Sequence, residues 1–180
     1  SDAWVHFRGA VKAGQFERAI NQVRGVAALA KIAVGSKIPP SSWLAKNITI
    51  PTLPFEGETM RWALVDSALE VTLHRAPCNE IGLQTLDELE KLAAFVHNGA
   101  GGARALIIHS GLASGFCAGA DLKALYHGLI ERKGEGRSIV ERVLEVRRFL
   151  DRIHAAFNAL DTAPMTTIAA CHGVVFGGGF

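Results

Sequence analysis

The order of hydrophobic patterns along the chain predicts an α/β fold. Two apolar, strand-like runs, ARALIIHS at 103–110 and MTTIAACHG at 165–173, are separated by helical periodicity. Each run leaves into a loop rich in small residues. Strands that alternate with helices point to a sheet with helical crossovers. With 49% hydrophobic and 20% charged residues among 180, the chain can bury a core.

The first element expected is a helix over 9–34, where Val11, Phe16, Ile20, Val23, Ala27 and Ala30 recur at spacings of three to five and Gly35 can end the run. Gly14 and Gly25 weaken it. Four of the six prolines then fall at 39, 40, 51 and 54, which excludes a helix interior and reads as a linker. The division expected is a helical extension with a Pro-rich linker over 1–58, then the α/β domain over 59–180. MRWALVD (60–66) and ALEVTLHR (68–75) predict a hairpin that turns near Asp66 and Ser67. A helix is expected at about 84–97, with Leu86, Leu89, Ala93 and Val96 on one stripe. GAGGA (99–103) reads as a flexible connection to the strand at 103–110, after which a loop leads to a helix from about Asp121. Ser138 and Glu141 have capping-box spacing and predict the start of a long helix. Its apolar face is read as Val140, Val143, Leu144, Leu150, Ile153, Phe157 and Leu160, with Arg147 and Asp151 paired on the wet side. DTAP (161–164) ends it. No repeat at a solenoid period is present.

Composition narrows the function classes. The net charge of +2 is too small to imply nucleic acid. Residues 1–47 carry seven Lys/Arg against two Asp/Glu, a basic segment read as a solvated helix face or as a docking face for an acidic partner. Cys78, Cys117 and Cys171 form no CxxC pair, and the seven histidines have no metal-ligand spacing. A reducing compartment is expected, and no metal site. No apolar run approaches the ~20 residues of a membrane span, and the N-terminus lacks a signal pattern. A soluble, cytoplasmic protein is expected.

The chemistry concentrates in two loops, FCAGADLKAL (116–125) and GVVFGGGF (173–180). Small residues after a strand admit a ligand close to the backbone, and the first N–H groups of a helix lack internal partners. Two such loops from adjacent strands can aim two amides at one oxygen, as an oxyanion hole does. On spacing alone the oxyanion reading is weak, because glycine loops after strands more often only turn the chain. A phosphate-binding loop, a dinucleotide fingerprint and a nucleophile elbow are each unsupported by residue order.

Three motifs taken together carry a resemblance. VTLHRAP with NEI (71–77, 79–81), GFCAGADLKAL (115–125) and TTIAACHGVVFGGGF (166–180) resemble the enoyl-CoA hydratase/isomerase, or crotonase, superfamily in order and spacing. The fold implied is a crotonase-like core of repeated strand–strand–helix units, truncated, behind an N-terminal helical extension. The substrate implied is an acyl-CoA thioester, with coenzyme A as part of the substrate and no bound cofactor. The activity implied is enoyl-CoA hydration or isomerisation through a thioester enolate. The resemblance assigns the oxyanion donors to the backbone N–H groups of Ala120 and Gly178. It assigns substrate binding to Ala118, Gly119, Asp121, Leu122, Lys123 and Gly177, with Asp121 starting the helix and Lys123 within reach of a phosphate. Cys117 is read as a packing residue, and His172 as a buried, hydrogen-bonded side chain.

The family's catalytic glutamates would follow Phe180 and so lie outside this sequence, which is therefore expected to be the first portion of a longer polypeptide. A homo-oligomer, trimer or hexamer, is implied for the full-length protein, with no nucleic-acid or membrane partner. Alternatives are an unsaturated fatty acid signal synthase acting as thioester dehydratase or hydrolase, and a non-catalytic acyl-CoA-binding module. A Clp-type peptidase is disfavoured, since no Ser stands at the nucleophile position.

Overall fold

The computed structural model describes residues 48–130 and 138–180. The expected helix over 9–34 lies outside the described residues, as do residues 1–47 of the extension and linker.

The hairpin forms as its sequence requires. Strand β2 (Met60–Val65) pairs antiparallel with β3 (Ala68–Leu73), in the register Met60 with Leu73 through Val65 with Ala68. Asp66 and Ser67 both adopt positive φ, 47° and 68°. Two such residues give the turn a twist that matches the strands. A two-residue strand, β1 (Phe55–Glu56), adds to the free edge of β2, and Phe55 stacks on Trp62 with ring centroids 3.8 Å apart.

Helix α1 (Leu83–His97) follows and carries Leu86, Leu89, Ala93 and Val96 inward as predicted. The GAGGA segment connects α1 to the next strand through a tight turn. Ala100–Gly102 form a 3-10 turn that buries Ala100, with Gly99, Gly101 and Gly102 at φ between +62° and +93°. Strand β4 (Ala105–Ser110) then lies parallel to β3, and β6 (Thr166–Ala170) lies parallel to β4. The sheet order is β1-β2-β3-β4-β6, antiparallel at one side and parallel at the other. Parallel neighbours need crossovers, and the helices supply them.

Two further short strands escaped the sequence reading, as β1 did. Strand β5 (Gly115–Cys117) lies within the loop after β4, and β7 (Val174–Val175) pairs parallel with it as a separate small sheet. Helix α2 (Leu122–Ile130) starts one residue after Asp121. Helix α3 (Ile139–Asp161) carries the predicted capping box. Ser138 Oγ accepts from the Glu141 N–H, and the Glu141 carboxylate accepts from the Ser138 N–H at 2.7 Å.

The predicted apolar face of α3 is only half right. Of that face Ile153 and Leu160 are buried and Phe157 half-buried, whereas Leu150 and, toward the N-terminus, Val140, Val143 and Leu144 are exposed; Phe149, Ala156 and Ala159 are buried instead. The cause is offset. Arg152 pairs with Asp87 and Glu90 of α1, and His97 Nε2 lies 2.7 Å from the Ala159 carbonyl, so the two helices run in the same direction. Residues 139–146 of α3 therefore project about two turns past the start of α1 and have no face of α1 to pack on. Arg147 and Asp151 do pair on the exposed side, at 2.8 Å.

Candidate functional site

The two loops meet because β5 and β7 pair. Phe116 N–H donates to the His172 carbonyl at 2.8 Å, and Phe176 N–H to the Cys117 carbonyl at 3.0 Å. Beyond that pair the segments stay in contact. A methyl group built on Gly119 would lie 2.8 Å from the Phe176 carbonyl oxygen and 3.3 Å from Gly178 N. Gly119 (φ +86°) and Gly177 (φ +51°) both adopt left-handed backbone.

Where each amide goes decides what the loops can offer. Ala118 N–H donates to the Cys78 carbonyl at 2.9 Å, and Gly119 N–H to Cys117 Sγ at 3.3 Å. Ile81 forms a parallel bridge with Ala120: its N–H donates to the Gly119 carbonyl at 2.7 Å, and its carbonyl accepts from Asp121 N–H at 3.0 Å. The peptide joining Gly119 and Ala120 is trans, so its N–H is opposed to its C=O. With that carbonyl turned to Ile81, the Ala120 N–H faces the other way. In the second segment Gly179 N–H donates to Phe176, and Phe180 N–H to the Gly177 carbonyl at 3.0 Å. Among the described residues no acceptor is found for the N–H groups of Ala120, Gly177 or Gly178. Backbone donors left unpaired beside one another suit an anionic oxygen.

The predicted site residues are brought together around this point. Gly119 is buried; Ala118, Ala120 and Asp121 are half-buried; Leu122, Lys123, Gly177 and Gly178 are exposed. The Gly178 α-carbon rests on Ile81 and Phe157, where a methyl would be 3.2–3.3 Å from their side chains. Beneath it an apolar cavity of about 360 Å³ opens between Met60, Leu73, Ile81, Phe157 and Leu160.

The Asp121 side chain is committed to structure. One oxygen, Oδ1, accepts from Ala124 N–H at 2.9 Å and caps α2; the other, Oδ2, pairs with Arg75 at 2.6 Å. Burial opposes its ionisation, but the Ala124 amide and the Arg75 guanidinium together outweigh burial and hold the carboxyl below its ordinary range. A carboxyl depressed in the folded state stabilises the fold above the unfolded pKa, about 3.9 for Asp. That stabilisation fades as pH falls through the folded value. The urea midpoint is therefore expected to drop on acidification from about pH 6 to about pH 2.5, and Asp121→Asn to flatten that drop. An unchanged pH profile in the variant would remove Asp121 from the acid transition.

Cys117 is a packing residue. It is buried, and its Sγ donates to the Asn79 carbonyl at 3.0 Å. Burial pushes its thiol up; the Gly119 amide pulls down, and Glu80 and Cys171 raise it further. A thiol so raised is a poor nucleophile. His172 Nε2 sits 2.9 Å from the Leu112 carbonyl, a half-buried structural contact. Among the described residues no cluster of His, Cys, Asp and Glu could hold a metal, and no helix is long and apolar enough to cross a membrane.

Arg75, Asn79 and Ile81 contribute to the site, although the sequence reading, which quoted them within VTLHRAP and NEI, gave them no role there. The buried Asn79 amide donates to Ser110 Oγ at 2.8 Å and to the Phe116 carbonyl at 2.9 Å, tying the end of β4 to β5. The signal that could have found these three was their place in the first of the three motifs.

A family model for enoyl-CoA hydratase/isomerase matches residues 71–180, more than half the chain. The chain belongs to the enoyl-CoA hydratase/isomerase family. It is 31% identical over 153 residues to an enoyl-CoA isomerase/hydratase of Zymoseptoria tritici, covering 83% of this chain and 43% of that protein. It is 39% identical over 79 residues to a mitochondrial methylglutaconyl-CoA hydratase of Pyricularia oryzae, covering 44% of this chain and 19% of that one. Among solved structures, DspI of Pseudomonas aeruginosa is similar with a TM-score of 0.55 at 25% identity, covering 72% of this chain and 44% of that one. An enoyl-CoA hydratase of Bacillus anthracis gives a TM-score of 0.53 at 26% identity, covering 68% and 43%. This member of the family thus spans less than half the length of these relatives. Its crotonase-type α/β fold agrees with the sequence reading.

Proposed function

We propose that the chain binds the thioester carbonyl of an acyl-CoA through the backbone N–H groups of Ala120 and Gly178. The observation that carries this reading is the pair of unused amides on two segments in backbone contact at Gly119. Hydration of an enoyl-CoA adds oxygen to the β-carbon, drives electrons onto the thioester oxygen and then protonates the α-carbon. Double-bond isomerisation reaches the same enolate by removing an α-proton. Either reaction needs the developing oxyanion held, and two fixed amides do so without reorganising. Gly119, Ala118 and Gly177 admit the ligand to the backbone. Lys123, exposed in the first turn of α2, is suited to a phosphate of coenzyme A.

Acetoacetyl-CoA, a thioester that can hold its enolate, tests the reading by calorimetry on the full chain. It is expected to bind more tightly than coenzyme A. Ala120→Pro deletes the N–H, and it should weaken that preference about tenfold or more in a folded variant. Equal affinity for acetoacetyl-CoA and coenzyme A in the unsubstituted chain, or no change on substitution, would refute it. Product analysis with an enoyl-CoA then separates hydration and isomerisation from thioester hydrolysis or binding alone.

A further inference from the structure

We propose that Arg75 and Asp121 are a positioning pair that fixes the direction of the Ala120 amide; this rests on the oxyanion reading above. Arg75 stands just beyond the end of β3, where the chain leaves the sheet. Its guanidinium makes two contacts with separate segments. One N–H donates to the Glu80 carbonyl, and the other nitrogen lies 2.6 Å from Asp121 Oδ2. Glu80 immediately precedes Ile81, and Asp121 immediately follows Ala120. Ile81 and Ala120 are the two residues of the isolated bridge. The guanidinium therefore spans the isolated bridge, holding the residue before Ile81 and the residue after Ala120.

The bridge in turn sets the peptide plane. The Gly119 carbonyl is held by Ile81 N–H at 2.7 Å, and the Ala120 N–H is the opposed end of that plane. Rotation of the plane would pull the Gly119 oxygen off Ile81, and Asp121, whose N–H donates to the Ile81 carbonyl at 3.0 Å, is anchored on the far side of Ala120 by Arg75. Asp121 also caps α2 through Ala124, so the same carboxylate fixes the helix that follows. The pair is partly exposed, with side-chain accessibilities of 28% and 12%. Its worth as an ion pair for stability is correspondingly small. Planar, two-point contact by arginine gives orientation that a point charge cannot.

The test reads carbonyl polarisation. Acetoacetyl-CoA labelled with heavy carbon at the thioester carbonyl is bound to the full chain, and its infrared stretch is compared with the free ligand. The unsubstituted chain should shift the band to lower frequency. Asp121→Asn, which keeps an oxygen to cap Ala124, should lose at least half of that shift and bind acetoacetyl-CoA about tenfold more weakly. Its affinity for coenzyme A, which lacks the thioester carbonyl, should fall by less than its affinity for acetoacetyl-CoA. A role in stability alone would lower the thermal midpoint and leave the band of the bound ligand where it was. Arg75→Lys keeps the charge without the planar fork and is expected to repeat the loss; it serves where Asp121→Asn depletes folded protein. A full wild-type shift in either folded variant overturns the positioning role. No shift in the unsubstituted chain overturns the oxyanion reading itself, and the two failures are thereby distinct.

Discussion

Gly119→Ala is expected to lower acetoacetyl-CoA affinity by about 100-fold while leaving the protein folded. Two effects combine at this position. Its φ of +86° is one that residues with a side chain rarely adopt, costing about 1–2 kcal/mol. Its new methyl would also stand 2.8 Å from the Phe176 oxygen and 3.3 Å from Gly177 Cα and Gly178 N. These neighbours are backbone atoms and cannot rotate aside, so one segment must move off the other. Displacement of about 1 Å is enough to spoil a reactive geometry. Gly102→Ala separates the two effects. Gly102 has a similar φ of +83°, yet nothing lies within 4 Å of the added methyl. Chemical denaturation should show both variants destabilised, and calorimetry should show binding lost in Gly119→Ala alone. Wild-type affinity in Gly119→Ala would mean that the two segments need not approach so closely.

Local chemistry made much of this architecture readable. The hairpin turn at Asp66–Ser67, the inward stripe of α1 and the capping box of α3 depend on residues within a few positions of one another. The enoyl-CoA family was readable too, because its three motifs keep their order. What stayed hidden depends on distant partners. The three residues of β5 have a strand's conformation only because Val174–Val175 lie beside them. Periodicity marks two apolar sides on α3, but which one is covered depends on where α1 begins against it. Arg75 and Asp121 are 46 residues apart and belong to no periodic pattern. Glu88 is the clearest case. Among the charged residues of LQTLDELEKL it reads as solvated, yet it is buried.

That buried carboxylate leads to the second large effect, since Glu88→Ala is expected to destabilise the chain by about 3 kcal/mol. Glu88 gathers the turn between β1 and β2. Its Oε1 accepts from Glu58 N–H at 2.8 Å, and its Oε2 from Thr59 N–H at 3.1 Å, Met60 N–H at 2.9 Å and Thr59 Oγ1 at 2.7 Å. Thr59 and Met60 are themselves buried. Removing the carboxylate strands three amides and a hydroxyl, and each buried donor without a partner costs about 1–3 kcal/mol. Water entering the vacated space offsets part of that sum. Gly57 belongs to the same device, for a methyl there would lie 2.5 Å from Glu88 Oε2. Glu88→Gln keeps the shape but replaces one acceptor oxygen by a donor, so about half the loss is expected. Urea midpoints give the magnitude, and hydrogen exchange at the amides of residues 58–60 locates it. Exchange should speed there first, because those amides meet α1 through this one side chain. An unchanged midpoint with those amides still protected would mean that strand pairing alone holds the turn. The expected loss follows instead from three consecutive amides that donate to the Glu88 carboxylate of α1.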